Sequence, residues 1–167
     1  MKKLFLFLIM AFTLGFLSCN LGDGYSENTP SIFFNNPAKL NSDSLLYFKN
    51  TSDINIVRID SLHVGDTLKI SVIMNAYYNQ LTEFDYNVND STAIKTQIPD
   101  SLKGLFKSLN YKTGRFLFNN NYSLVVLPVD LIALKSSDSI AYTFGVYSDV
   151  TKITNMALIG LKTKIKP

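Results

Sequence analysis

Two carboxylates with strand spacing are the first candidates for acid–base chemistry. Glu83 and Asp85 lie two residues apart in a segment where polar and apolar residues alternate. Alternate residues of a strand share a face, with Cβ atoms about 7 Å apart. Paired carboxyl groups can hydrolyse glycosidic bonds. The same spacing also describes a polar outer face opposite Phe84, Tyr86 and Val88, which is the interpretation we favour; a hydrolase stays an alternative.

The single histidine could belong to a nucleophilic set. His63 lies between Ser61 and Asp66, with Asp60 just before them. A nucleophilic serine needs a base beside it, and the sequence has no glycine pattern of the nucleophile-elbow type. We therefore interpret His63 as a turn residue ahead of a strand.

Metal and cofactor motifs are weak in this sequence. The series Asp85, Asn87 and Asn89 half-matches a calcium loop, but Asp90 stands at the glycine position and Thr96 at the closing glutamate. One Cys and one His are too few for an ordinary zinc cluster. No glycine-rich phosphate loop and no flavin or haem motif is present. We expect no catalytic site, no metal and no cofactor.

Five tyrosines near predicted strand ends or turns are candidates for a ligand surface: Tyr77, Tyr78, Tyr111, Tyr122 and Tyr147. Exposed tyrosine offers apolar area with a polar tip, which suits stacking on a sugar or anchoring a protein contact. The chain has no Trp, so the strongest sugar-stacking side chain is absent. Packing at the rim of the core is the alternative.

A basic cluster surrounds the one segment with helical spacing. It consists of Lys103, Lys107, Lys112 and Arg115. A solvated helix face explains such a cluster, and a surface for an anionic partner is the alternative. The formal net charge of the whole chain is +3, which is too small to indicate nucleic-acid binding.

The first eighteen residues have the composition of a secretory signal peptide. Lys2 and Lys3 form a basic start, and an almost unbroken apolar run follows from residue 4 to residue 17. This run is shorter than the roughly 20 residues that a permanent membrane span needs. A basic start before a short apolar stretch is typical of an export signal. The only cysteine, Cys19, follows directly.

The segment Phe16-Leu17-Ser18-Cys19 resembles the lipobox of bacterial lipoproteins, although that family prefers Leu where Phe16 stands. The resemblance implies cleavage before Cys19, a diacylglycerol thioether on its sulfur and acylation of the new N-terminus. More than one acyl chain is enough for a stable membrane anchor. Asn20, where an inner-membrane retention signal would have Asp, implies the outer membrane, facing the periplasm or the cell surface. The composition resembles that of Bacteroides-type lipoproteins.

Period-2 alternation dominates the rest of the chain and predicts at least seven short strands. They lie near residues 54–59, 68–74, 81–89, 116–118, 122–126, 142–147 and 156–165. The triplet Asn119-Asn120-Asn121 predicts a tight hairpin. Pro128 must mark an edge, a bulge or a strand break. Leu102, Leu105, Phe106 and Leu109 recur at helical spacing after Pro99, which predicts one short helix across an end of the sandwich.

Residues 65–72, with the sequence GDTLKISV, resemble the start of strand B in immunoglobulin-like domains. That resemblance places Val72 at the first disulfide cysteine and Phe84 at the strand-C tryptophan. Residues 138–142 resemble the tyrosine corner, which places Phe144 at the second cysteine. Both cysteines and the tryptophan are absent, so core burial must hold the sheets together. A turn opening a strand is the alternative reading of Gly65-Asp66.

The sequence therefore predicts an all-β, immunoglobulin-like sandwich of two antiparallel sheets with one short helix. Its predicted organisation is a signal peptide at 1–18, a lipidated N-terminus and tether at 19–31, and the sandwich at 32–167. We expect a membrane-anchored, non-catalytic binding or accessory module that contacts the membrane through its lipid and an envelope protein or a glycan through its domain, with no nucleic acid as partner. A structural envelope or fimbrial-type subunit is the alternative, and a hydrolase is the third.

Overall fold

The computed structural model describes residues 28–41, 43–151 and 153–167. The predicted signal peptide, Cys19 and the tether up to residue 27 lie outside these residues. Within them the chain forms thirteen strands and one 3₁₀ helix, Asp100–Leu105. The strands are β1 (Ser31–Leu40), β2 (Ser44–Leu46), β3 (Lys49–Asn50), β4 (Ile56–Arg58), β5 (Leu62–His63), β6 (Thr67–Asn75), β7 (Leu81–Val88), β8 (Ile94–Gln97), β9 (Phe106–Asn110), β10 (Arg115–Tyr122), β11 (Leu124–Ala133), β12 (Ser137–Ser148) and β13 (Met156–Lys166).

Two sheets face each other. The first has the strand order β2-β1-β6-β11-β8. The second has the order β3-β4-β13-β12-β7-β10-β9, and β5 also pairs with β13. The predicted all-β sandwich is confirmed. The second sheet is mixed rather than antiparallel throughout, because the short strands β4 and β5 run parallel to β13.

The core lies between the sheets and is built from the apolar half of each alternating strand. Val72 of the first sheet and Phe84 and Phe144 of the second are fully buried. The rings of Phe84 and Phe144 stack with centroids 6.1 Å apart, and Phe34 of β1 meets Phe144 edge-on at 5.5 Å. The Phe84 ring continues to Phe116 at 6.0 Å. Aromatic contact therefore runs from the first sheet across the second, in place of a disulfide.

The predicted helix is present but shorter and of a different type. It ends at Leu105 as a 3₁₀ helix with no buried residue, and Phe106 begins β9. Phe106 and Leu109, which the helical spacing assigned to the same face, instead pair with β10. Strand pairing wins because it satisfies the backbone of this segment and buries Phe106 against the rings of Phe116 and Phe118.

The hairpin predicted at Asn119-Asn120-Asn121 is wrong. β10 continues through the triplet to Tyr122, with a shift of register against β7 between Leu117 and Tyr122. The next strand, β11, pairs with β6 and β8 of the other sheet. The chain thus crosses between sheets at Ser123. Asparagine tolerates the irregular backbone of a bulge as well as that of a tight turn, so the triplet alone did not distinguish the two.

Pro128 lies at a locally open edge, as predicted. β11 pairs with β6 from Leu124 to Ile132, but with the short β8 only over Asp130–Ala133. Pro128 therefore pairs with Ser71 on one side and precedes the β8 ladder on the other. The missing proline N–H costs nothing where no neighbouring strand needs it.

The sandwich has two ends that matter for function. At the proximal end, Ser31 at the start of β1 lies in register with Asn75, which in turn pairs with Leu124. At the distal end, Leu40 lies in register with Leu68, which pairs with Leu131. The N-terminal segment thus joins the domain at the proximal end. Among the described residues, no helix has the length and apolar character required to cross a membrane.

Candidate functional site

A cleft of about 670 Å³ opens at the distal end, between the edge strand β8 of the first sheet and the β7–β10 part of the second. We call it the distal cleft. It is lined by Tyr86, Asn87, Val88, Ser91, Ile94, Lys95, Thr96, Gln97, Lys103, Tyr111, Lys112, Thr113, Gly114 and Leu134. Its volume lies within the range of small-molecule sites, roughly 300–1,000 Å³.

One wall of the distal cleft is the segment that carries the chain from β7 to β8. The Asp90 carboxylate accepts hydrogen bonds from the Thr92 hydroxyl (2.6 Å) and from the backbone N–H groups of Thr92 and Ala93. These bonds, that of the Thr92 hydroxyl first, lower the pKa of Asp90 and keep it charged. β8 is then fixed from within by a buried hydroxyl–hydroxyl bond of 2.9 Å between Thr96 and Tyr142.

The opposite wall is the turn between β9 and β10. The Asn110 side-chain oxygen accepts from the backbone N–H groups of Lys112 (3.1 Å) and Thr113 (3.2 Å), which closes the turn. Gly114 ends it with φ +69°, in the left-handed region that favours glycine. The Tyr86 N–H donates to the Gly114 carbonyl at 2.9 Å, so the turn lies tightly against β7.

Two tyrosine rings give the distal cleft its aromatic surface. The Tyr86 hydroxyl donates to the backbone carbonyl of Tyr111 at 3.2 Å. Burial raises the pKa of Tyr86, so the hydroxyl remains a donor at neutral pH. The Tyr111 ring packs edge-on against Phe116 at 5.0 Å, yet 38% of Tyr111 remains exposed. Tyr111 is therefore held in place and still presents apolar area to a ligand.

The polar groups of the distal cleft carry a positive balance. Three lysines line it, Lys95, Lys103 and Lys112, and none of the lining residues is Asp, Glu or His. Lys103 is paired with Asp100 of the 3₁₀ helix at 2.7 Å. In the described part of the chain, neither Lys95 nor Lys112 has a carboxylate within 4.0 Å. Neither of these two lysines is therefore neutralised by an ion pair among the described residues.

The five tyrosines proposed from the sequence do not form one surface. Tyr77 and Tyr78, in the loop after β6, lie at the proximal end, where Tyr122 of β10 pairs with Leu81. Tyr147 faces outward on β12 and donates to Asp85 at 3.2 Å. Of these five, Tyr111 alone lines the distal cleft. Tyr86 also lines the cleft, and the buried Tyr142 supports β8 through Thr96. The alternating strand positions of both residues predict a place in the core, so the sequence does not mark them as site residues.

The basic cluster proposed from the sequence is also divided. Lys103 and Lys112 line the distal cleft, whereas Lys107 does not. Arg115 forms a bidentate pair with Glu83, with distances of 2.7 and 2.6 Å. Lys95 was missed, because nothing in the local sequence indicates that the four-residue strand β8 crosses to the other sheet.

The two carboxylates share a face, as predicted, but lie outside the distal cleft on the outer face of the second sheet. Glu83 is held by Arg115. The Asp85 carboxylate lies over Gly145, where an added Cβ would overlap it. Burial raises the pKa of Asp85, and the bond from the Tyr147 hydroxyl opposes that rise. Glu83 and Asp85 therefore form an ion pair with Arg115 and a half-buried carboxyl group, respectively, on the outer face of the sheet, and not a pair of carboxyl groups in a cleft.

His63 and the half-matched calcium residues have structural contacts. Asp66 accepts from the His63 backbone N–H at 2.7 Å and from the Asn41 amide at 2.7 Å, which lowers the pKa of Asp66. Asn89 accepts from the Ala141 N–H and donates to the Ser139 carbonyl. Within residues 28–41, 43–151 and 153–167, no group of three or more His, Cys, Asp or Glu residues is placed to hold a metal ion.

Comparison with known proteins gives fold-level likenesses only. No family model and no curated protein sequence matches the chain. A DUF4466 family protein from Parabacteroides merdae is similar in structure, with a TM-score of 0.48 and 11% identity over 80% of this chain and 43% of that one. A family 123 glycoside hydrolase from Clostridium perfringens has a TM-score of 0.43 and 10% identity over 83% and 27%. This chain thus spans less than half of either protein.

Proposed function

We propose that this protein is an extracytoplasmic lipoprotein that binds a glycan in the distal cleft and does not act on it chemically. The observation that carries the proposal is the cleft itself, which has the volume of a small-molecule site, a tyrosine that is held in place yet partly exposed, and a mostly polar set of lining residues. Pockets of this composition fix a polar ligand through a few hydrogen bonds while an apolar face covers part of its surface.

The position of the distal cleft supports the lipoprotein assignment. The N-terminal segment joins at Ser31, at the proximal end, and the cleft opens at the other end of the strands. A domain tethered through Cys19 would present the cleft away from the bilayer. This arrangement suits a receptor for a polymer outside the membrane.

A binding role is favoured over hydrolysis by the distribution of acids. Among the described residues, the candidate carboxylates Glu83 and Asp85 lie on the outer face, and no acid lines the distal cleft. A sugar bound in the cleft would therefore meet donors and an aromatic ring but no carboxyl pair.

We also propose that the sandwich is immunoglobulin-like. The order β1-β6-β11-β8 corresponds to the A-B-E-D sheet of that fold, and β7-β12-β13 corresponds to its C-F-G sheet. The difference is that the edge strand β8 precedes the β9–β10 hairpin in the chain, and this rearrangement forms the walls of the distal cleft.

The membrane assignment is tested by replacing the acylated residue. We expect the wild-type chain to remain with the membrane fraction and the Cys19→Ser variant to be released as a soluble species, because the variant has no sulfur to acylate. The measurement is fractionation followed by mass spectrometry of the N-terminal peptide. An intact Met1 or an unmodified Cys19 thiol in the wild-type protein would contradict the assignment.

The binding assignment is tested with a glycan array and paired tyrosine variants. We expect Tyr111→Ala to weaken binding of any captured glycan about tenfold, because the variant loses the aromatic surface on which a sugar ring would pack. A tenfold loss of affinity corresponds to about 1.4 kcal/mol. Tyr78→Ala is the matched control, because Tyr78 is 83% exposed but lies at the proximal end. Capture of no glycan, or equal losses for both variants, would reject the cleft as a glycan site.

A structural envelope subunit is the second candidate, favoured by a separate observation. Phe33, Ile73 and Val126 lie in register across three strands on the outer face of the first sheet, and Phe33 and Val126 are about half exposed. An exposed apolar row suits contact between subunits. A molar mass that rises with concentration in light scattering would support this candidate, and a constant monomer mass would exclude it.

A further inference from the structure

We infer that the proximal end of the domain lies against the lipid surface of the membrane that holds its anchor. The contact surface is the proximal patch, which we define as Tyr77, Tyr78, Leu124 and Ile153. This inference rests on the lipid anchor proposed at Cys19 and goes beyond it, because an anchor alone does not orient a domain. It is independent of glycan binding, since the distal cleft opens at the other end of the strands.

The proximal patch consists of exposed aromatic and aliphatic side chains. Tyr77 and Tyr78 lie in the loop after β6, Leu124 begins β11, and Ile153 lies in the loop between β12 and β13. Their exposed fractions are 44%, 83%, 58% and 39% in the same order. Tyrosine suits the boundary between water and lipid, because its ring is apolar and its hydroxyl is polar. The aliphatic side chains add apolar area that such a boundary can bury.

Hydrogen bonds fasten the two loops of the proximal patch together. The Gln80 N–H donates to the Asp149 carboxylate at 2.8 Å, and the Asp149 N–H donates to the Gln80 carbonyl at 3.0 Å. The Ala76 N–H donates to the Ser123 carbonyl at 2.7 Å, which joins the first loop to the start of β11. Asp149 is the one charged side chain among the described residues of these loops. The patch is therefore a fixed surface with little charge to desolvate.

The backbone of Tyr77 is an independent sign that its ring has a partner. Tyr77 has φ +59°, in the left-handed region, which is unfavourable for tyrosine and which glycine or asparagine would occupy at lower cost. The Asn75 side-chain oxygen accepts from the Tyr77 N–H at 2.7 Å and holds this conformation. Packing within the domain compensates only in part, because 44% of Tyr77 stays exposed. A lipid surface that covers the ring accounts for an aromatic residue at this position.

The length of chain before β1 makes lipid the occupant within reach. β1 begins at Ser31, in register with Asn75, immediately before the tyrosine loop. Residues 20–30 separate Ser31 from the proposed anchor at Cys19, and a chain of this length extends at most about 40 Å. The bilayer is thus present at a high effective concentration, so a weak contact is enough to orient the domain.

The test uses tryptophan fluorescence, since the chain has no Trp of its own. The lipidated Tyr78→Trp protein is reconstituted into vesicles of phosphatidylethanolamine and phosphatidylglycerol, with or without bromine on the acyl chains near the headgroups. Bromine quenches tryptophan only at short range. We expect the brominated vesicles to lower the emission about twofold, because interfacial side chains lie roughly 5–10 Å into the boundary between headgroups and acyl chains.

Two further variants show whether the proximal patch makes this contact. Val64→Trp is the matched control, because Val64 is 45% exposed but lies at the distal end, next to Gly65, whose N–H donates to the Ala133 carbonyl. Its emission should be the same in both kinds of vesicle. Tyr77→Asn, added to the Tyr78→Trp protein, should keep or raise the midpoint of urea unfolding, since asparagine tolerates positive φ. It should nevertheless reduce the quenching by about half, because one of the two interfacial rings is lost.

Each outcome supports or rejects the inference. Mass spectrometry of the same samples shows whether Cys19 is acylated; without the lipid, the anchor and the inference are both rejected. With the lipid present, equal quenching of the Tyr78→Trp and Val64→Trp proteins, or quenching of neither, rejects the inference while the anchor stands. A blue shift of the Tyr78→Trp emission without quenching means that protein, and not lipid, covers the patch. Quenching that Tyr77→Asn leaves unchanged rejects the patch as the contact surface.

Discussion

Replacing Phe144 with Ala is expected to lower the free energy of unfolding by about 3–5 kcal/mol, the range for removing a buried aromatic ring. Phe144 is fully buried on β12 and is in ring contact with Phe34 of the first sheet and with Phe84 and Tyr142 of the second. Its removal opens a cavity where the two sheets meet. The chain has a single cysteine, so no intrachain disulfide can join the two sheets. The ring contacts of Phe144 therefore provide the stabilisation between sheets that a disulfide provides in other sandwiches.

The measurement is urea unfolding of the wild-type and variant proteins, with the slope of the transition used to verify that both lose the same structure. Leu158→Ala is the matched control: Leu158 lies on the adjacent strand β13 and is 46% exposed on the outer face. We expect it to cost less than about 1 kcal/mol. Equal costs for the two variants would show that the aromatic contact is not what joins the sheets.

The core of this sandwich could be predicted because its signal is local. Val72, Phe84 and Phe144 were placed in the core from alternation and from the resemblance to immunoglobulin-like strands, and all three are fully buried. Period-2 alternation depends only on which side of a strand faces the other sheet. β1 was missed because Pro37 and a shift of register between Asn35 and Lys39 interrupt the alternation.

The distal cleft could not be predicted because its residues are joined only by tertiary structure. Lys95 and Lys112 belong to strands and turns on opposite sheets, and their proximity depends on the chain crossing to the first sheet at β8 and returning for β9. The helical spacing of residues 102–109 concealed β9. The usable local signal was Asn110 followed by Gly114, a turn pattern between two short apolar segments.

Replacing Gly114 with Ala is expected to destabilise the protein by about 2–4 kcal/mol and to weaken glycan binding at least tenfold. Two costs combine at this position. Gly114 has φ +69°, where a Cβ costs roughly 1–2 kcal/mol. The added Cβ would also overlap the backbone carbonyl oxygen of Tyr86, which cannot move without breaking the bond that joins the turn to β7. Because that turn carries Tyr111 and Lys112, the distal cleft must change shape with it.

Two other glycines separate these costs. Gly65 has φ +95° but no heavy atom within 4 Å of an added Cβ, so Gly65→Ala should show the backbone cost alone, about 1–2 kcal/mol. Gly104, in the 3₁₀ helix, has open space around an added Cβ and no positive φ, so Gly104→Ala should be neutral or stabilising by up to about 1 kcal/mol. Urea unfolding and calorimetric titration should therefore rank stability as Gly104→Ala above Gly65→Ala above Gly114→Ala. Of the three variants, Gly114→Ala alone should lose the ligand, because Gly114 lines the distal cleft and the other two glycines do not. A Gly114→Ala protein that keeps both its stability and its affinity would show that the turn does not shape the site.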